Sequence, residues 1–314
     1  MNEMDKNPKN KSGEKSTGTK KGESRYTHHP WRALLVILAL VPVCYGLVGL
    51  VLYGILRLPI NISNMESFST ITMFTVGNFL AYVLAPFFLR VPKGKRTFRE
   101  YLDDIRLTRT QPFFRLLLLT LSCVLILILC LGTFSIIYRL SEGNPLTLEF
   151  ILRVFDLSLA LPPISMLLFA VFYSMFEEVA FRGVFLTMLL EKHPQRTAII
   201  YSATAFGAVH FLSVFAGQAL VHTLGQVVWA FLFGLFYGYL FIKSGSLLPP
   251  MIIHWLSNVF QAPLTAYSHT APAAVNAFGG IFGYGLAALL LILWVRFFAA
   301  RWLSEPQNGL RLTG

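Results

Sequence analysis

The sequence predicts an all-α, polytopic membrane protein: a bundle of about eight transmembrane helices with both termini cytoplasmic. Three observations carry this. Only 13% of the 314 residues are charged and 55% are hydrophobic, whereas a soluble domain carries about 25% charged residues. The apolar residues fall in runs long enough to cross a bilayer. With the N-terminus inside, 23 of the 26 Lys and Arg fall in cytoplasmic segments, leaving only Arg57, Arg139 and Arg153 outside, as the positive-inside rule requires. The net charge of +11 therefore reads as membrane topology, and no nucleic-acid partner is expected.

Each segment follows in order. Residues 1–30 are rich in Lys, Asn, Ser, Gly and Thr and cannot bury enough surface to order themselves. They form a disordered basic cytoplasmic tail suited to anionic lipid. Residues 31–150 hold the first membrane helices, with runs near 33–56, 70–89 and 116–138. The first run is too long for a signal-peptide core and has no small-residue cleavage site after it. Between the second and third lies a basic loop, 90–112, that fits either a short interfacial helix or a solvated loop. Residues 151–264 form the core, with runs near 157–190, 197–215, 223–242 and 247–264. Pro162 and Pro163 suit the start of the first of these. Residues 265–314 add a last helix, near 277–298, and a C-terminal tail. Cys44, Cys123 and Cys130 all sit in apolar runs without a CxxC pair, so they read as packing residues.

Ionisable groups inside a membrane are costly, about 2.5–3.5 kcal/mol each on insertion scales. The core nonetheless contains "FEEVAFRG" (176–183). Glu178 and Arg182 are four apart on one helix face and can pair. Glu177 points about 100° away and is left to face another helix. The next run carries His210, and "HWLSN" places His254 and Asn258 four apart on one face. Polar groups aimed inward from three helices predict one buried site built from Glu177, His210, His254 and Asn258, supported by Glu178 and Arg182.

Two chemistries fit this set. Glu177, His210 and His254 could ligate Zn2+ or another divalent metal that activates a water. Alternatively, a carboxylate and a histidine activate water directly while histidine and asparagine donate to an oxyanion. Both hydrolyse an acyl bond. The sequence holds no GxSxG elbow and no HExxH helix. Gly234 and Gly238, at small-xxx-small spacing in "GQVVWAFLFGLFYGYL", predict close helix packing.

The segments "EEVAFRG" (177–183), "FGAVH" (206–210), "AFLFGLFYGYL" (230–240) and "HWLSN" (254–258) together resemble the CPBP family of intramembrane proteases, the group named for CAAX proteases and bacteriocin-processing enzymes, also called Abi. The resemblance covers about residues 157–262, and every motif position is filled. It implies that Glu177 and His210 position and activate the hydrolytic water, that His254 and Asn258 stabilise the oxyanion, and that Glu178 and Arg182 support the site. It also implies an endopeptidase in the cell membrane acting on a peptide or protein in or at the membrane, prenylated in the CAAX case. The motif does not choose between prenyl-protein processing and bacteriocin maturation or immunity, nor between a metal-dependent and a glutamate-dependent mechanism. An ion- or proton-coupled transporter using the same Glu/His/Asn cluster is the alternative, although no internal repeat stands out. A non-catalytic membrane scaffold is a third reading.

Overall fold

The computed structural model describes residues 26–61, 67–94, 97–155, 164–215, 217–265 and 273–303. Most of the expected tail, the Pro162–Pro163 pair and the last residues lie outside these. The described residues contain helices and no strand. In chain order they are α1 (Pro30–Ile55), α2 (Phe68–Phe88), α3 (Phe98–Asp104), α4 (Phe113–Ser141), α5 (Leu148–Val154), α6 (164–190), α7 (Gln195–Val214), α8 (Leu220–Ser244), α9 (Leu248–Thr265) and α10 (Ala273–Trp302).

Six of these, α1, α2, α4, α7, α8 and α10, are long and apolar enough to cross a membrane. α6 and α9 are of comparable length, and they are the helices that carry Glu177, Glu178, Arg182, His254 and Asn258. The protein is a polytopic helical bundle. Its outer surface supports this: Leu118, Leu121, Leu125 and Leu129 on α4, and Leu286, Leu289, Leu290 and Leu293 on α10, are all exposed. Such stripes at helical spacing are unfavourable in water and satisfied in lipid.

Helix ends follow the local sequence. Pro30 opens α1, and Pro249 and Pro250 sit in the first turn of α9, where a missing N–H costs nothing. Gly245 closes α8 in the left-handed conformation, φ 69°, which glycine adopts freely. Just ahead of α1 the His29 N–H donates to the Tyr26 carbonyl at 2.8 Å.

α8 is central, packed against α7 and α10; α4 packs against α9 and α10, and α6 against α9 and α2. Glycines set the closest approach. A Cβ on Gly234 would lie 2.9 Å from Ala203 Cα, and one on Gly207 would lie 2.9 Å from the Val227 carbonyl oxygen. The small-residue spacing on α8 is thus a packing seam, as expected.

The basic 90–112 loop contains a helix. α3 begins with a capping box in which Thr97 and Glu100 exchange hydrogen bonds. It is not a solvated loop: Tyr101 and Ile105 are fully buried, the Leu247 N–H donates to the Arg106 carbonyl at 3.1 Å, and the Arg106 guanidinium lies 4.8 Å from the Phe241 ring centre. The segment is docked beneath α6 and α8.

Candidate active site

The site forms where α6, α7, α8 and α9 meet, and α6 supplies its charges. At Val179–Leu186 the helix widens to π geometry, a feature frequent at functional sites. The Thr187 hydroxyl donates to the Arg182 carbonyl at 3.3 Å, which helps satisfy the widened turn. Arg182 is fully buried. Its Nη1 donates to Glu178 Oε1 at 2.8 Å, and its Nη2 reaches the Gly234 carbonyl at 3.4 Å. Its guanidinium lies 4.3 Å from the Phe206 ring centre and 5.3 Å from that of Tyr237. These two rings help compensate a cation that has lost its water.

The expected Glu178–Arg182 pair is present, but Glu178 has a second partner that spacing along the chain could not reveal. Its Oε1 also accepts from His254 Nδ1, at 2.9 Å. His254 then turns Nε2 toward Glu177 Oε2, 3.8 Å away, beyond a direct hydrogen bond. One imidazole from α9 therefore bonds one glutamate of α6 and faces the other. With the Nδ1 proton on Glu178, Nε2 is an acceptor while the ring is neutral and a donor once it takes a second proton.

Two further groups fix His254. Tyr237 stacks on its ring at 5.0 Å and 26°. Ser257 donates to the His254 carbonyl at 2.7 Å, so the Tyr237 hydroxyl, 3.0 Å from Ser257 Oγ, donates to Ser257. Asn258, one turn after His254, donates from Nδ2 to Ser174 Oγ at 2.9 Å. On the other side, Tyr173 hydrogen-bonds Glu177.

His210 ends α7. Its Nδ1 proton goes to the Phe206 carbonyl at 2.8 Å, which leaves Nε2 with a free lone pair in the neutral ring. The Phe206 ring meets the His210 ring edge-on at 4.9 Å and the His254 ring at 5.8 Å. His210 therefore belongs to the same cluster, placed by Phe206 rather than by a direct bond to the other polar groups. Glu177 and His254 are 3% and 2% exposed, whereas His210 and Asn258 are partly exposed. The open side of the site is the one these two border.

Among the described residues no group of three or more His, Cys, Asp or Glu is placed to hold an ion. Of the expected ligands Glu177, His210 and His254, both histidines place Nδ1 on an oxygen acceptor, which leaves Nε2 as the nitrogen that could meet an ion.

Sequence reasoning missed Tyr173, Ser174, Tyr237 and Ser257. Tyr173 and Ser174 did have a legible signal: each lies four residues before one of the glutamates. Tyr237 and Ser257 read as ordinary helix residues, and only the crossing of α8 and α9 gives them meaning.

Residues 159–260 match the family described as Type II CAAX prenyl endopeptidase Rce1-like. No curated protein and no solved structure matches the chain. The matched segment takes in α6, α7 and α8 and all of α9 that carries polar site residues, and it leaves α1–α5 and α10 outside. The match indicates a membrane endopeptidase, and it supports the chain as a CPBP-family intramembrane protease.

Proposed function

We propose that this protein is an intramembrane endopeptidase that hydrolyses a peptide bond of a membrane-associated substrate with a water activated at Glu177 and His210. The observation that best supports this is the single imidazole, His254, bonded to Glu178 and facing Glu177. A buried ion pair alone needs no such link. In this reading the water lies on the open side, held by the His210 Nε2 lone pair. The Glu177 carboxylate takes its proton as the oxygen attacks the scissile carbonyl carbon. The oxyanion receives an N–H from Asn258 and one from His254 in its doubly protonated form, the ring being held in place by the Nδ1 bond to Glu178. The proton held by Glu177 then passes to the amide nitrogen as the C–N bond breaks.

No step runs through a metal. Treatment with EDTA or phenanthroline should leave the rate unchanged. A rate lost to chelation and restored by Zn2+ would replace this mechanism with the metal-dependent one.

The family description favours a CAAX-type, prenylated substrate over a bacteriocin precursor. Reading α6 and α9 as spans too gives eight, with both termini on the cytoplasmic side of the cell membrane. The basic tail then rests on anionic lipid. His28, His29, Arg32, Lys192 and His193 line one cleft beside Trp31, in keeping with that placement. The deciding experiment is cleavage of a prenylated CAAX peptide by protein purified in detergent, with Glu177→Gln as the control. Cleavage that persists undiminished in Glu177→Gln, or is absent from the parent, would sink the reading.

A further inference from the structure

The turn of α6 before the glutamates, Tyr173 and Ser174, touches two of the four expected catalytic groups and is assigned no role by the motifs. Tyr173 and Glu177 are four apart, as are Ser174 and Glu178. The two pairs lie on adjacent faces of one helix. Tyr173 hydrogen-bonds the Glu177 carboxylate. Ser174, fully buried, accepts from Asn258 Nδ2 across the α6–α9 contact at 2.9 Å.

Both recipients need an anchor for the same reason. The last torsion of a glutamate or asparagine side chain is broad and nearly unrestricted. A carboxylate that must face water with a chosen lone pair, or an amide that must aim one N–H at an oxyanion, is therefore poorly defined by packing alone. One fixed hydrogen bond removes that freedom. With one amide hydrogen held by Ser174, the second hydrogen on the same planar nitrogen has a set direction. Tyr45 and Tyr82 also lie within electrostatic range of Glu177, but the Tyr45 hydroxyl is taken, since it donates to Asn78 Oδ1 at 2.7 Å.

We propose that this turn is a positioning turn, in which Tyr173 fixes the Glu177 carboxylate and Ser174 fixes the Asn258 amide. The proposal rests on the hydrolytic reading above, and its test has an arm that does not. Tyr173→Phe, Ser174→Ala and the milder Ser174→Cys are each made alone, and the first two are also combined with Asn258→Ala. Loss of aim should lower kcat about tenfold in Tyr173→Phe and Ser174→Ala, with KM within about twofold and thermal stability near that of the parent. Ser174→Cys should fall between Ser174→Ala and the parent. Asn258→Ala removes an oxyanion donor and should lower kcat by about 10²–10³.

Because Ser174 acts through Asn258, the Ser174→Ala/Asn258→Ala double variant should cleave no more slowly than Asn258→Ala alone. Tyr173→Phe acts through another group, so its loss should multiply with that of Asn258→Ala. In protein labelled with 15N-asparagine and 13C-glutamate, the Asn258 side-chain amide signal should move in Ser174→Ala and stay in Tyr173→Phe. The Glu177 carboxyl signal should do the opposite. These spectra decide the proposal even if the parent cleaves no peptide, an outcome that removes the protease reading alone. Unmoved signals, multiplicative losses for Ser174 and Asn258, or a parental kcat in Tyr173→Phe would overturn the positioning turn.

Discussion

Oε1 of Glu178 receives both Arg182 and His254, at 2.8 and 2.9 Å, while Glu177 meets Tyr173 and the far nitrogen of the same histidine. Adjacent in sequence, the two acids are therefore unequal. Glu177→Gln keeps the shape and removes the proton acceptor, so cleavage should fall to near zero with little change in melting temperature. Glu178→Gln leaves a buried guanidinium without its counter-charge, an effect of about 3–5 kcal/mol when one partner of a buried pair is lost. It also loosens His254. Activity should fall partially and the melting temperature clearly, and a side-by-side comparison of rate and thermal unfolding checks both. A stable but inactive Glu178→Gln beside an active Glu177→Gln would reverse the assignment. The Glu178–Arg182 pair was legible because a helix brings positions four apart together. The Glu178–His254 bond was not, because it depends on how α9 is rotated and shifted against α6, and no local spacing encodes that.

At the level of elements, the seam between α7 and α8 has no room for a side chain at position 234. Its carbonyl also receives Arg182 from α6. Gly234→Ala should force the helices apart at a cost of about 1–3 kcal/mol and slow cleavage as well, through Arg182. Gly225 has no neighbour within 4 Å of a added Cβ, so Gly225→Ala should leave both properties unchanged, and differential melting of the two variants tests the contrast. Helix placement was largely readable, since apolar runs and prolines mark where spans begin and end. The π widening of α6 was not readable, because the same residues would equally make an ordinary α-helix.

For the whole molecule, the charge split predicts that a cysteine placed at Thr110 reacts with a membrane-impermeant thiol reagent only from the cytoplasmic side. Labelling from outside in intact cells would invert the topology. Cys44 and Cys123 are buried and Cys130 is only partly exposed, so background labelling should be low. The loop's helix was one of two readings that the sequence left open, and the Thr97–Glu100 capping box that settles it became evident only in the structure. Its docking was not legible, because burial of Tyr101 and Ile105 depends on a surface formed by helices that come much later in the chain. That docking puts Ile105 against Gly183, the residue next to Arg182: a Cβ at 183 would lie 3.0 Å from Ile105 Cβ and 3.3 Å from Leu247 Cδ2. Position 183 thus has no room for a side chain while the loop is docked. Gly183→Ala alone should slow cleavage and lower the melting temperature, and Ile105→Ala added to it should recover neither, because alanine keeps the Cβ that stands 3.0 Å away. The motif's glycine is thus held small by a segment far from it in the chain, and a larger residue at 183 would first have to displace the docked loop.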